Sequence, residues 1–128
     1  MIKPTDSSSI LVVDDETDVR QILSLALELE GFTTLQAENG YHAIQILMTV
    51  SHLPSVVVLD LSMPILDGRG FLDRRAQDSI LAQVPVIVVS GNSRPQEPLP
   101  GIEVFLQKPV KVTHLVWAIS QLINKRDT

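Results

Sequence analysis

Val56-Val57-Val58-Leu59-Asp60-Leu61-Ser62-Met63-Pro64-Ile65-Leu66-Asp67-Gly68 is the stretch that decides the fold. Its first four residues are apolar without alternation, and three of them are β-branched. Such a run suits a strand covered by helices on both faces. It stops at a carboxylate, Asp60, and a loop carrying Pro64 and Gly68 follows. Upstream, Ile10-Leu11-Val12-Val13 repeats the pattern and stops at Asp14-Asp15. Downstream, Val86 to Val89 repeats it before Ser90, and a shorter run, Val104 to Leu106, precedes Lys108-Pro109. Thr33 to Ala37 reads as a further strand.

Helical spacing fills the intervals. Val19, Ile22, Leu23, Ala26, Leu27 and Leu29 recur near one face, with Thr17 expected to cap the start and Gly31 to mark the stop. Asn39-Gly40 is a strong turn dipeptide, yet the residues after it (Ala43, Ile44, Leu47, Met48) have helical spacing, so it opens a helix. A third helix is expected from about Gly70 to Arg75. A last one is expected over Val112 to Ile123, with Leu115, Ile119 and Leu122 on its apolar stripe. Trp117 lies about 200° from Leu115 on that helix, on its outer side, and marks a candidate partner surface. Between Ser90 and Lys108 stand Pro95, Pro98 and Pro100 with Gly91 and Gly101. Proline removes an amide donor and clashes within a helix, so a loop or at most one turn is expected there.

Alternating strands and helices imply parallel strands joined by right-handed crossovers, with helices on both faces of the sheet. The chain has 128 residues, enough for one domain. We read residues 1–8 as a flexible leader, 9–124 as the domain and 125–128 as a tail. The net charge is −5, which argues against direct nucleic-acid contact, and 4% aromatic residues give no platform for base stacking. There is no cysteine, which excludes disulfides and thiol nucleophiles. The apolar runs are too short to cross a membrane, and the N-terminus lacks a secretory signal pattern, so a cytoplasmic protein is expected. His42, His52 and His114 are scattered, without companions, and read as solvated.

In a parallel sheet the crevice lies beyond the carboxyl ends of the strands. Asp14, Asp15, Asp60, Ser90 and Lys108 all fall there. Close carboxylates repel, and a hard divalent cation such as Mg²⁺, which prefers oxygen ligands, relieves that repulsion. A carboxylate beside such a cation can attack phosphorus, while the lysine and hydroxyl hold the oxygens of the group in transfer.

These segments together, Val12-Val13-Asp14-Asp15, Val58 to Gly68, Val88-Val89-Ser90-Gly91 and Phe105-Leu106-Gln107-Lys108-Pro109, with Ala37, Asn39-Gly40 and Ala43, resemble the receiver domain of two-component response regulators and hybrid histidine kinases. The resemblance covers about Ser9 to Ile123. It implies a flavodoxin-like (βα)₅ doubly wound sheet of order 2-1-3-4-5, here with the helix between strands four and five shortened or replaced by a proline-rich loop. It also implies roles. Asp60 is the phosphoacceptor, modified by a phosphoryl group taken from a phosphohistidine of a histidine kinase or phosphotransfer protein. Asp14, Asp15, Asp60 and the Ser62 carbonyl hold Mg²⁺. Lys108 contacts the phosphoryl oxygens, and its bond to Pro109 is usually cis. Ser90 and Phe105 form the switch, and Ser62 and Asn92 sit where the family tunes acyl-phosphate lifetime. Chemistry beyond this autocatalytic phosphorylation and dephosphorylation is not expected.

Lys108 follows Ser90 by 18 residues, a few fewer than is usual in the family, and Gly91 stands where alanine is common. The glycine adds local freedom and leaves the chemistry plausible, whereas the proline-rich replacement of the fourth helix supports a second reading, a receiver-like interaction module that no longer switches. A haloacid dehalogenase-type phosphatase needs an aspartate at position 62, where Ser62 stands. A flavodoxin needs a hydroxyl-rich phosphate loop where Asp14-Asp15-Glu16 stands.

Overall fold

The computed structural model describes residues 9–92, 95–96, 98–99 and 101–126. The apolar runs form five strands: β1 (Ser9–Val13), β2 (Thr33–Ala37), β3 (Val56–Asp60), β4 (Val86–Ser90) and β5 (Val104–Gln107). All four pairings are parallel, and the order is β2-β1-β3-β4-β5. Three strands run one residue further than their apolar patterns, so Asp60, Ser90 and Gln107 are the last strand residues and not the first loop residues. The resemblance anticipated this topology, and the chain has the flavodoxin-like architecture.

Among the described residues four α-helices cover the sheet: α1 (Thr17–Leu29), α2 (Gly40–Thr49), α3 (Gly68–Ala76) and α4 (Val112–Arg126). Alternation along each strand divides the core in two. Leu11, Val13, Val57, Leu59, Val86 and Val88 pack on one face with Ala43, Ile44 and Leu47 of α2 and Phe71 and Leu72 of α3. Ile10, Val12, Val56, Val58, Ile87 and Val89 pack on the other with Leu27 of α1 and Leu115, Ile119 and Leu122 of α4. Side chains alternate between faces with a period of two along a strand, so the same uninterrupted runs feed both layers.

Several boundaries differ from the sequence reading. Glu16, not Thr17, occupies the N-cap of α1, and its side chain caps nothing. α3 begins at Gly68, two residues early, because Asp67 caps it by accepting from the Gly70 amide at 2.8 Å. α4 continues to Arg126, so Lys125 and Arg126 belong to the helix and not to a tail. The leader falls outside the described residues. Gly31 does end α1, at φ +99°. Asn39 opens α2 by accepting from the His42 amide at 2.8 Å.

Among the described residues there is no helix between β4 and β5. That crossover is nonetheless fastened. Leu99 is buried in the first core layer and Ile102 packs against it. Arg69 Nη1 donates to the Pro98 carbonyl at 3.2 Å. Nearby, Arg75 is buried, with its guanidinium donating to the carbonyls of Ala82 and Val84 that lead into β4. Burial lowers its pKa and Glu103 opposes the shift; Nε and Nη2 together donate three bonds. No helix among the described residues is long and apolar enough to cross a membrane.

Candidate functional site

The carboxyl ends of β1, β3 and β5 bring the acidic cluster and the lysine together. Carboxylate oxygens of Asp14, Asp15 and Asp60 all lie within 4.8 Å of one another. Lys108 Nζ stands 3.4 Å from Asp14 Oδ2 and 3.8 Å from Asp60 Oδ2. Asp14 and Asp60 are buried, whereas Asp15 is exposed.

Backbone contacts fix the Asp14 and Asp60 carboxylates and the main chain at Lys108. The Asp14 amide donates to Ala37 O at 3.1 Å, continuing the β1–β2 ladder past its last paired residue. Asp14 Oδ1 accepts from the Glu16 amide at 2.9 Å, and its carbonyl accepts from Arg20 Nη1 at 2.7 Å. Arg20 also reaches Gln36 Oε1 at 3.1 Å. Sequence reasoning missed this arginine, because nothing in a lone cation six residues downstream marks it as a brace for the Asp14 backbone. Asp60 Oδ1 accepts from the Ser62 amide at 3.3 Å. The Lys108 amide donates to Ser90 O at 2.7 Å, and the Lys108–Pro109 bond is cis. The Lys108 stem lines an apolar groove of about 420 Å³, walled by Val19, Leu23, Val89 and Leu115.

Burial pushes the Asp60 carboxyl above its ordinary pKa. Lys108 and the Ser62 amide pull it down, while Asp14 and Asp15 push it further up. A site of three carboxylates and one ammonium carries excess negative charge, and all of its acidic donors are oxygens. That donor set fits a hard divalent cation.

Ser90 is buried, and its Oγ accepts from the Asn92 amide at 3.1 Å. Both residues line a pocket of about 310 Å³ with Ser62, Met63, Asp67 and Pro95. Phe105 pairs with Val88, two residues before Ser90, and packs half-buried against the first core layer. Trp117 is 66% exposed on α4, on the outward side that its helical angle predicts.

The loop from Leu61 to Asp67 carries two close approaches. A side chain on Gly68 would place its Cβ 2.6 Å from Leu61 Cα and 2.8 Å from the Asp60 carbonyl. Gly68→Ala therefore displaces the backbone that carries Asp60. Overpacking of this kind costs about 1–3 kcal/mol, read as a lower midpoint in urea unfolding with unchanged slope. A side chain on Gly40 would likewise bring its Cβ to 2.5 Å from the Leu66 carbonyl, which the Gly40 amide meets at 2.9 Å. Between these contacts the chain turns tightly: the Leu66 amide donates to Pro64 O at 2.8 Å, and Ile65 sits at φ +70°. This is a γ-turn of the rare positive-φ kind. A β-branched residue there is an outlier, at a cost of roughly 1–2 kcal/mol.

The comparisons agree with this fold. The family model for the response regulator receiver domain matches residues 10–120. The transcriptional regulatory protein PrrA of Mycobacterium tuberculosis is 34% identical over 125 residues, covering 94% of this chain and 52% of the relative. The chain thus spans about half the length of the curated relatives it matches. A receiver domain protein from Clostridium thermocellum superposes with a TM-score of 0.83 at 29% identity, covering 94% of this chain and 97% of that one. The receiver domain of a signal transduction histidine kinase from Syntrophus aciditrophicus gives 0.83 at 27%, covering 92% and 91%. Sheet order, acidic cluster and family match coincide, and the chain belongs to the response regulator receiver domain family.

Proposed function

We propose that this domain is a phosphorylation-dependent signalling switch in which Asp60 accepts a phosphoryl group from a phosphohistidine. The convergence of Asp14, Asp15, Asp60 and Lys108 at the strand ends carries this reading. The donor is a histidine kinase or a histidine phosphotransfer protein, which places the domain in the cytoplasm. An Asp60 carboxylate oxygen forms the new bond to phosphorus as the donor's nitrogen–phosphorus bond breaks, and the electron pair leaves on the imidazole. Asp14, Asp15, Asp60 and the Ser62 carbonyl are the groups that would hold Mg²⁺. When bound, Mg²⁺ offsets the charge of the carboxylates and of the incoming oxygens. Lys108, already 3.8 Å from Asp60, neutralises a phosphoryl oxygen on the acceptor side. Ser90 hydrogen-bonds the new phosphoryl group, Phe105 follows it in the switch, and Ser62 and Asn92, on the wall of the same pocket, set how water reaches it. Trp117 offers a contact for an output partner.

Intact-mass measurement after acetyl phosphate and Mg²⁺ tests the reaction. A gain of one phosphoryl group is expected, absent in Asp60→Ala and absent when EDTA replaces Mg²⁺. No adduct, or an adduct that survives Asp60→Ala, sinks the reading. The lack of a helix among the described residues between β4 and β5 supports the second reading, a non-switching interaction module. That reading gains if the adduct forms at Asp60 and neither amide spectrum nor partner affinity changes.

A further inference from the structure

We infer that Arg20, tethered by Gln36, is a positioning residue for the acidic site: it clamps the Asp14 backbone so that two successive carboxylates face one cation. The inference rests on the reading of Asp14, Asp15 and Asp60 as the cation ligands of phosphoryl uptake.

Neighbouring side chains on an extended strand point to opposite faces. Asp14 and Asp15 are neighbours, yet their carboxylate oxygens lie within 4.8 Å of each other and of an Asp60 oxygen. The chain has to leave the strand conformation here, and β1 does end at Val13. Beyond the ladder the Asp14 carbonyl needs a new donor. Asp14 is 2% exposed, so bulk water is a poor substitute. Arg20 Nη1 supplies the donor at 2.7 Å, in a charge-assisted bond. On the other side of the same residue, the Asp14 amide donates to Ala37 O at 3.1 Å.

The guanidinium is itself aimed. While Nη1 holds the carbonyl, Nε donates to Gln36 Oε1 at 3.1 Å, so one planar fork bridges β2 to the loop after β1. Thr34, two residues before Gln36 and therefore on the same face of β2, donates from Oγ1 to Glu28 Oε2 at 2.6 Å. Arg20 and Glu28 stand about two turns apart on α1 and meet successive same-face residues of β2. The edge strand supplies no ligand, yet it holds the ligand pair by two routes, Ala37 O and the Gln36–Arg20 pair. A charge effect and a clamp differ in sign. By charge alone, deleting a cation beside an acidic site strengthens divalent binding; deleting a clamp weakens it.

Mg²⁺ titration of the full chain by NMR provides the test. Losing a side chain that orients metal ligands costs about 10–100-fold in metal affinity, and Arg20→Met is expected to weaken Mg²⁺ binding about tenfold. Arg20→Lys keeps the charge without the fork, and a loss of about fivefold is expected. Gln36→Leu removes only the tether, for a loss of about two- to threefold. A second readout needs no metal. The Glu16 amide donates to Asp14 Oδ1 at 2.9 Å, and its hydrogen exchange is expected to quicken about fivefold in Arg20→Met. The Asn92 amide, bonded to Ser90 Oγ, keeps its rate. Mg²⁺ affinity unchanged or raised in Arg20→Met overturns the clamp. Parent affinity in Arg20→Lys overturns the bridging geometry, and parent affinity in Gln36→Leu overturns the tether. Exchange that quickens equally at Glu16 and Asn92 shows general destabilisation and overturns the positioning role. A parent without Mg²⁺ shifts overturns the cation reading of the acidic cluster and this inference together, whereas a parent and an Arg20→Met that bind alike overturn this inference alone.

Discussion

Lys108→Met is expected to slow phosphoryl uptake at Asp60 by about 10²–10³-fold, the usual effect of removing one preorganised charge donor from a transfer site. Methionine keeps most of the unbranched stem that lies in the groove beside Val19, Leu23 and Leu115, so the fold is preserved. What is lost is the ammonium 3.4 Å from Asp14 and 3.8 Å from Asp60. The same change has an opposite effect on the resting site. Lys108 lowers the Asp60 pKa, so without it three carboxylates repel unopposed and the acceptor's pKa climbs further. Divalent-cation affinity should therefore rise in Lys108→Met while transfer falls. Titration of Mg²⁺ by NMR, beside single-turnover mass kinetics, reads both. A variant that loses Mg²⁺ affinity and rate together shows Lys108 as a scaffold residue and overturns this role.

Asp60→Asn is expected to abolish uptake and yet to stabilise the metal-free protein at pH 7. The Asp60 pKa is raised mainly by burial, so the folded state holds the proton more tightly than the unfolded chain. Stability tied to that proton is present at low pH and lost as pH rises through the folded-state pKa. At neutral pH the parent therefore carries a buried charge that asparagine does not. A gain of roughly 1 kcal/mol, ordinary for a single site, raises the melting temperature by about 3–5 °C at this length. The gap should close as pH falls, because the parent's carboxyl is then neutral as well. Mg²⁺ reverses the order at pH 7. Ligand bound only by the folded state stabilises it by about 2.7 kcal/mol at a hundredfold excess over Kd, and the parent keeps the ligand set that the variant lacks. Melting scans at pH 4.5 and 7, with and without Mg²⁺, check all four values. A variant less stable than the parent in metal-free buffer at pH 7 contradicts the electrostatic account.

Much of this domain can be read without coordinates, and the residues show why. Val56 to Leu59 are apolar on both faces, a pattern that fits only a strand between two helical layers, and the same logic covers β1 and β4. Asp14, Asp15, Asp60, Ser90 and Lys108 could be placed in one crevice because parallel topology puts every strand's carboxyl end on the same side. Helix starts were less legible. Thr17 has a capping side chain and Asp67 sits in a loop-like stretch, yet the cap falls at Glu16 in one case and at Asp67 in the other. Both outcomes follow from where neighbouring backbone groups find partners, which local propensity does not encode.

The sequence by itself determined the layering, the strand ends and the chemical identity of the groups that meet there, because periodicity and residue type are local properties. Only the tertiary structure decided how those groups are held and which backbone is under load. Arg20 bracing the Asp14 carbonyl, Arg75 tying α3 to the approach to β4, and Ile65 held at φ +70° while Gly40 makes room for the Leu66 carbonyl are side-chain contacts between separate elements or conformations imposed against local preference. They exist because packing the two faces of the sheet outweighs the few kcal/mol that a single strained residue or buried cation costs.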